Sequence, residues 1–260
     1  MDVDDAPRDA AAHPFEYACY TGDMDTVTSM LQQEGQAAVD VHANNSAPFL
    51  AACEGNQVEV LRALLALDGH RRIDVQRCAR DALLLVCELG NVDALRELLA
   101  LQGDRRIDVH VGQDWALRAA IVRGSTGVVQ ELLALTGDRA MDVHAKNGEA
   151  LEFAAHFGHL DILRQLLALT GDRRVDVNVR EDIALRMASF FGQTRVVREL
   201  LALDDGRRVN AVVRDCAPLR LAARRRNVDV VRILSTLQGD RAPSAAALRD
   251  AQQECPAAFE

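Results

Sequence analysis

Apolar and polar positions along much of the chain follow one phrase written five times. The stretch LLALTGDRRVDV, Leu166 to Val177, returns as LLALDGHRRIDV from Leu64, LLALQGDRRIDV from Leu98, LLALTGDRAMDV from Leu132 and a diverged LLALDDGRRVNA from Leu200. Successive starts are 34 residues apart. Between the copies the apolar residues keep helical spacing. Ile183 to Phe191, stopped by Gly192, reads as a first helix, and Gln193 to Leu203 as a second, with Val196, Val197, Leu200, Leu201 and Leu203 on one side. Glycines 22, 55, 90, 124, 158 and 192 are expected to end the first helices in the left-handed conformation, and glycines 69, 103, 137, 171 and 206 to close the second helices. Beyond the second helix the pattern changes to short β-branched pieces such as Val175-Asp176-Val177, read as extended or hairpin-like links. Self-similarity at this period specifies a stack of small repeats sharing one continuous core.

The stacking has a physical cause. Helices of about 9 or 10 residues are marginal alone, because isolated helices need roughly 12 to 15. Each helix pair must therefore bury its apolar stripe against neighbours. The end repeats should differ from the rest. Thr26, Thr28, Ser29 and Gln32 make the second helix of the first repeat polar, and the last repeat has Arg226 where glycine is expected. Residues 243–254, PSAAALRDAQQE, read as one more helix, with Ser244 as N-cap and Pro256 as its stop.

Composition narrows the picture. Apolar residues make up 49% but aromatics only 4%, so the core is aliphatic and alanine-rich. No apolar run approaches the length of a membrane span, so no membrane insertion is expected. A net charge of −9 argues against bulk binding to nucleic acid or anionic membranes. The acidic start lacks the features of a signal peptide, and the six cysteines form no C-x-x-C pair, so reduced thiols in a cytoplasmic or nuclear protein are expected.

The repeats resemble ankyrin repeats. Ala150-Leu151-Glu152-Phe153-Ala154-Ala155-His156-Phe157-Gly158-His159, followed later by Asp176-Val177-Asn178, matches the T-P-L-H-x-A-A-x-x-G-H and D-V-N elements of that family. In this register seven repeats begin near His13, Ser46, Asp81, Trp115, Glu149, Ile183 and Ala217. The family threonine is absent from all of them, and its proline remains only at Pro14 and Pro218. The resemblance implies an all-α ankyrin-type solenoid of stacked helix pairs with short extended or hairpin loops. It would comprise a flexible acidic N-terminus at 1–12, a repeat domain at 13–240 and a capping helix and tail at 241–260. The tetratricopeptide, the other 34-residue helical repeat, fits less well because it has no Gly-x-x-x-Asp-Val segment between helix pairs.

Candidate chemistry is sparse. His42, His110 and His144 follow Asp-Val in three repeats, but neighbouring repeats stand too far apart for a ladder of metal ligands, so a structural loop role is expected. His156 and His159 lack a third ligand at suitable spacing. Cys19 and Cys87 fall on buried positions, whereas Cys53 falls on the groove side as an exposed thiol or a bystander. No nucleophile-base pattern or phosphate-binding glycine loop is present, and neither catalysis nor a cofactor is expected. The arginine pairs 71/72, 105/106, 173/174 and 207/208 would line one edge, serving the second-helix C-termini and nearby aspartates rather than an acidic partner.

The second helices hardly vary between repeats, while the two residues before the first-helix glycine vary freely. They are Tyr20-Thr21, Cys53-Glu54, Glu88-Leu89, Val122-Arg123, His156-Phe157, Phe190-Phe191 and Arg224-Arg225. The resemblance places them on a concave, partner-binding groove. Trp115, beside it, has the amphipathic character of an interface anchor. The candidate partner-binding residues are therefore Trp115, Arg123, His156, Phe157, Phe190, Phe191, Arg220, Arg224 and Arg225. The expected partner is another protein, bound by a monomeric chain through a segment with an apolar anchor and acidic residues. The alternative is a scaffold or spacer subunit that uses its outer helices and arginine edge.

Overall fold

A computed structural model of the protein describes residues 12–35, 38–204 and 206–260. The expected acidic tail therefore lies outside the described residues, apart from Ala12. The chain divides into two compact units, Met1–Met141 and Asp142–Glu260. The first unit holds the helix pairs α1 (Pro14–Thr21) and α2 (Met24–Leu31), α3 (Ala43–Glu54) and α4 (Val58–Leu65), α5 (Val75–Leu89) and α6 (Val92–Ala100), and α7 (Val111–Arg123) and α8 (Thr126–Leu133). The second holds α9 (Ala145–Phe157) and α10 (Leu160–Leu167), α11 (Val179–Phe190) and α12 (Thr194–Leu201), α13 (Val213–Arg224) and α14 (Val228–Ser235), and then α15 (Ala245–Glu254). Within each unit first helices pack on first helices and second on second, and α13 is covered by α15.

Small residues at the centre of the first helices permit this approach. Ala18-Cys19, Ala52-Cys53, Val86-Cys87, Ala120-Ile121, Ala154-Ala155, Ala188-Ser189 and Ala222-Ala223 are all buried, at one position of successive repeats. The second helices supply the larger aliphatics. The eight residues of α10 bury Leu160, Ile162, Leu163, Leu166 and Leu167, and burying each side chain is worth about 1.5–3 kcal/mol.

Three hydrogen-bond devices recur between neighbouring pairs. The residue that opens a second helix reaches back to the carbonyls ending the preceding first helix. Gln57 Nε2 donates to Tyr20 O (3.1 Å), Asn91 Nδ2 to Glu54 O (2.7 Å), Gln193 Nε2 to His156 O (3.0 Å) and Asn227 Nδ2 to Phe190 O (2.9 Å). The first arginine of the loop does the same for the preceding second helix. Arg71 donates to Leu31 O, Arg105 to Leu65 O, Arg139 to Leu99 O, Arg207 to Leu167 O and Arg241 to Leu201 O, at 2.6–2.9 Å. The second arginine pairs with the aspartate of the next loop: Arg72 with Asp104, Arg106 with Asp138 and Arg208 with Asp240. Each guanidinium accordingly holds the Asp104 or Asp138 carboxyl below the usual range. The arginine edge is thus occupied by contacts within the chain.

The loops take the extended form rather than the hairpin, and no strand occurs among the described residues. The second glycine series does not close helices. Gly69, Gly103, Gly137 and Gly171, with φ of +61 to +63°, open one-turn 3₁₀ helices a few residues beyond the helix ends. Extended residues such as Arg72 (ψ 121°) then lead to the next first helix.

That helix is entered through a left-handed turn at Asn44–Ser46, Lys146–Gly148, Arg180–Asp182 and Arg214–Cys216. Asn, Asp and Gly, which tolerate this conformation, are frequent there. The sequence Val75-Gln76-Arg77-Cys78-Ala79-Arg80 has none of them, so α5 runs as a regular helix of 15 residues.

Cys53 corrects an expectation. It is fully buried and belongs to the column Cys19, Cys53, Cys87. The cause is a register slip at Gly55, which has an ordinary φ of −76°. Asn56, at φ +54°, takes the left-handed position instead. Gly55 is needed for space, because a Cβ there would lie 1.9 Å from Tyr20 O. The variable pair of this repeat is therefore Glu54-Gly55. Burial pushes the thiols up, Cys78 to about 11 and Cys87 to about 12, and raises Cys53 further, so all three are unreactive.

Candidate functional site

The first-helix ends of the unit Asp142–Glu260 carry a continuous aromatic surface. The α9 helix ends in His156-Phe157, with Gly158 at φ +76° as its cap. The α11 helix ends in Phe190, with Phe191 as cap, and α13 ends in Arg224, with Arg225 as cap. The Gln193 and Asn227 hydrogen bonds tie these three ends side by side. His156 stacks against Phe191 with ring centroids 3.9 Å apart and against Phe157 at 4.3 Å. Phe190 meets Phe191 edge-on at 4.8 Å, and the Arg225 guanidinium lies 4.7 Å above the Phe190 ring. Phe153, one turn before Phe157, extends the cluster.

Phe157 and Phe191 remain 41% and 40% exposed, so their mutual stacking does not bury them. Beyond Arg225 the run continues to Arg226, at φ +58° in place of the expected glycine. Arg224, Arg225 and Arg226 are exposed and have no carboxylate partner among the described residues. Arg220 differs. It is paired with Asp215 (2.7 Å) and Asp250 (3.1 Å), so it clamps the left-handed turn of α13 to α15 and presents no free charge. In the other compact unit, Arg123 is exposed and its Nε donates to Glu88 O at 3.4 Å, while Trp115 is half-buried in α7. The structure thus brings together His156, Phe157, Phe190, Phe191, Arg224 and Arg225, while Trp115 and Arg123 belong to the other unit.

The histidines after Asp-Val act in the loops. His42 Nε2 bonds His70 O (3.1 Å), His110 Nε2 bonds Asp138 O (2.9 Å) and His144 Nε2 bonds Asp172 O (3.0 Å). Asn178 Nδ2 does the same to Arg208 O. Each fastens one loop to the next. Gln76 plays this part for the regular helix α5, donating to Asp104 O and Arg106 O, which its position in the repeat would have suggested.

Residues 151–241 match the family model for ankyrin repeats, in three copies. This segment carries ankyrin repeats. The 34-residue period and paired helices that define the matched segment also run through the pairs before it. No curated protein is matched by the chain. Ankyrin repeats are in general protein-interaction modules, and proteins built from them are typically non-enzymatic. No helix among the described residues is long and apolar enough to cross a membrane.

Proposed function

We propose that this ankyrin repeat protein binds another protein through the aromatic and arginine surface of its C-terminal helix pairs. The observation that carries this reading is the contiguous cluster of Phe157, His156, Phe191 and Phe190, still open to solvent and continued by Arg224 to Arg226. Aromatic faces and arginines supply much of the binding energy at protein interfaces. The ligand that fits is a segment with an apolar side chain for the phenylalanine faces and carboxylates for the guanidiniums, which favour bidentate pairing. A scaffold role through the arginine edge draws less support, because those arginines are engaged within the chain.

The test compares proteins captured from the source cells by three forms of the full chain: wild type, Phe157→Ser/Phe191→Ser, and an outer-helix control, Arg164→Ala/Glu199→Ala. Loss of a partner from the face variant alone is the expected result. A partner retained by the face variant and lost with the control would move the site to the outer helices and overturn the proposal.

A further inference from the structure

The two compact units carry opposite charge at equivalent first-helix positions. In the unit Met1–Met141 one position of successive first helices holds Tyr20, Glu54, Glu88 and Val122, and the next holds Thr21, Gly55, Leu89 and Arg123, so carboxylates outnumber the single arginine there. Gln57 and Asn91 tie the backbones of Tyr20 and Glu54 to the following pairs, and Arg123 reaches Glu88 O. Leu89 follows Glu88 and is 48% exposed, while Tyr17 and Tyr20 are 39% and 38% exposed. In the unit Asp142–Glu260 the same position holds His156, Phe190 and Arg224, followed by Phe157, Phe191 and Arg225. Six large hydrophobic residues are exposed among the described residues, and five of them, all but Phe259, lie on these first helices or their caps. Single exposed apolar residues need no explanation, but their concentration towards the ends of first helices in each unit marks binding surfaces.

The first unit therefore displays the ligand chemistry that the second unit fits, apolar side chains beside carboxylates. We propose that a second copy of this chain docks there, its Tyr20, Glu54, Glu88 and Leu89 meeting Phe157, Phe191 and Arg224 to Arg226. The inference rests on the reading of the aromatic surface as a docking face, and it names the occupant. Every copy carries both patches, so any copy can offer either of them to another. A net charge of −9 opposes association of the chain with itself, so the attraction must be local and must weaken with salt.

The experiment measures the molar mass of the full chain by sedimentation as its concentration rises into the high micromolar range. It uses wild type, Glu54→Arg/Glu88→Arg and Arg224→Glu/Arg225→Glu, with circular dichroism to verify folding. Arg220 is left intact because it is structural. Wild type is expected to self-associate at low salt, and each variant alone to do so more than about tenfold more weakly, since its two patches then carry the same sign. Mixing the two variants is expected to restore association, because each then offers what the other lacks. Wild type that stays monomeric, association unaffected by both reversals, or folded variants that fail to rescue each other would each overturn the inference. If wild type stays monomeric while Phe157→Ser/Phe191→Ser still loses a different protein, the docking face stands and only its occupant is wrong.

Discussion

Two titratable side chains at the entrances to first helices, Asp182 and His110, respond to pH in ways set by their surroundings. Asp182 closes the left-handed turn of α11 at φ +55°, is 3% exposed, and accepts at Oδ1 from Asn178 Nδ2 and from the Asn210 backbone N–H, both at 2.8 Å. Burial outweighs these donors and holds its carboxyl above the usual range. An acid with a raised folded pKa contributes stability that is complete below its unfolded value, about 3.9, and lost as pH rises through the folded value. At neutral pH its charge is therefore a cost. Asp182→Asn keeps the Oδ1 acceptor and tolerates the turn, so it should be at least as stable as wild type at neutral pH. Asp182→Ala leaves both donors unpaired and should lose about 1–3 kcal/mol in urea unfolding. His110 stands in the slot of Asn178, with Nδ1 2.6 Å from Asp114 Oδ1 and Nε2 on a carbonyl. Both nitrogens face acceptors, so the imidazolium fits best. The Asp114 hydrogen bond is the main reason that the pKa is raised. This contribution is complete below about 6.5 and lost as pH rises through the folded pKa. Thermal melts should therefore show the advantage of wild type over His110→Asn shrinking between about pH 6 and pH 8. An unchanged difference would mean that the proton on His110 does not matter to the fold.

Between elements, two glycines of one apparent series do different work, and substitution separates them. Gly158 caps α9 at φ +76°, and a Cβ there would lie 2.2 Å from Gln193 Oε1. Gly158→Ala should cost about 1–2 kcal/mol for the left-handed backbone, plus about 1 kcal/mol as Gln193 is displaced from His156 O. Gln193→Ala alone removes only the second part, so the double variant should cost less than the sum of the singles. Gly55 has an ordinary φ but abuts backbone, Tyr20 O, which cannot swing away. Gly55→Ala should cost about 1–3 kcal/mol through overpacking, and removing the Gln57 side chain should not relieve it. Urea titrations of these six chains decide between the two mechanisms. The same contrast explains what was legible in the sequence. The period, the helix pairs and the Ser244 cap of α15, whose Oγ accepts from Ala247 N at 3.2 Å, follow from local chemistry repeated at fixed spacing. The role of Gly55 was not legible, because glycine marks both a positive φ and a close approach, and only the neighbouring helix tells which. The engagement of Arg220 was hidden for a related reason: its partner Asp250 is 30 residues away on α15. The aromatic surface was readable as unusual variation at a fixed position, whereas the stacking of His156 on Phe191 depends on the register between α9 and α11.

Across the molecule, energies that run only between neighbours make the end of a stack its most informative place. The α15 helix buries Ala247 and Ala251, covers α13, and supplies Asp250 to Arg220, while Arg232 of α14 bonds Ala257 O and Ala258 O just beyond it. Most of its other side chains are exposed. Deleting residues 243–260 would uncover the apolar side of α13, leave Arg220 with Asp215 alone and remove both acceptors of Arg232. Nearest-neighbour coupling confines most of that loss to the last pair. Amide exchange in α13 and α14 should accelerate by more than about tenfold, with a smaller effect in α11 and least in α9. Equal acceleration from α9 to α14 would show instead that the compact unit opens as a single cooperative block. The gradient also bears on binding, because Arg224 and Arg225 end the helix that α15 supports, whereas Phe157 ends α9, two first helices away. The truncated chain should therefore lose affinity for an acidic partner segment before it loses the apolar contact at Phe157, which binding of peptides with and without carboxylates would measure.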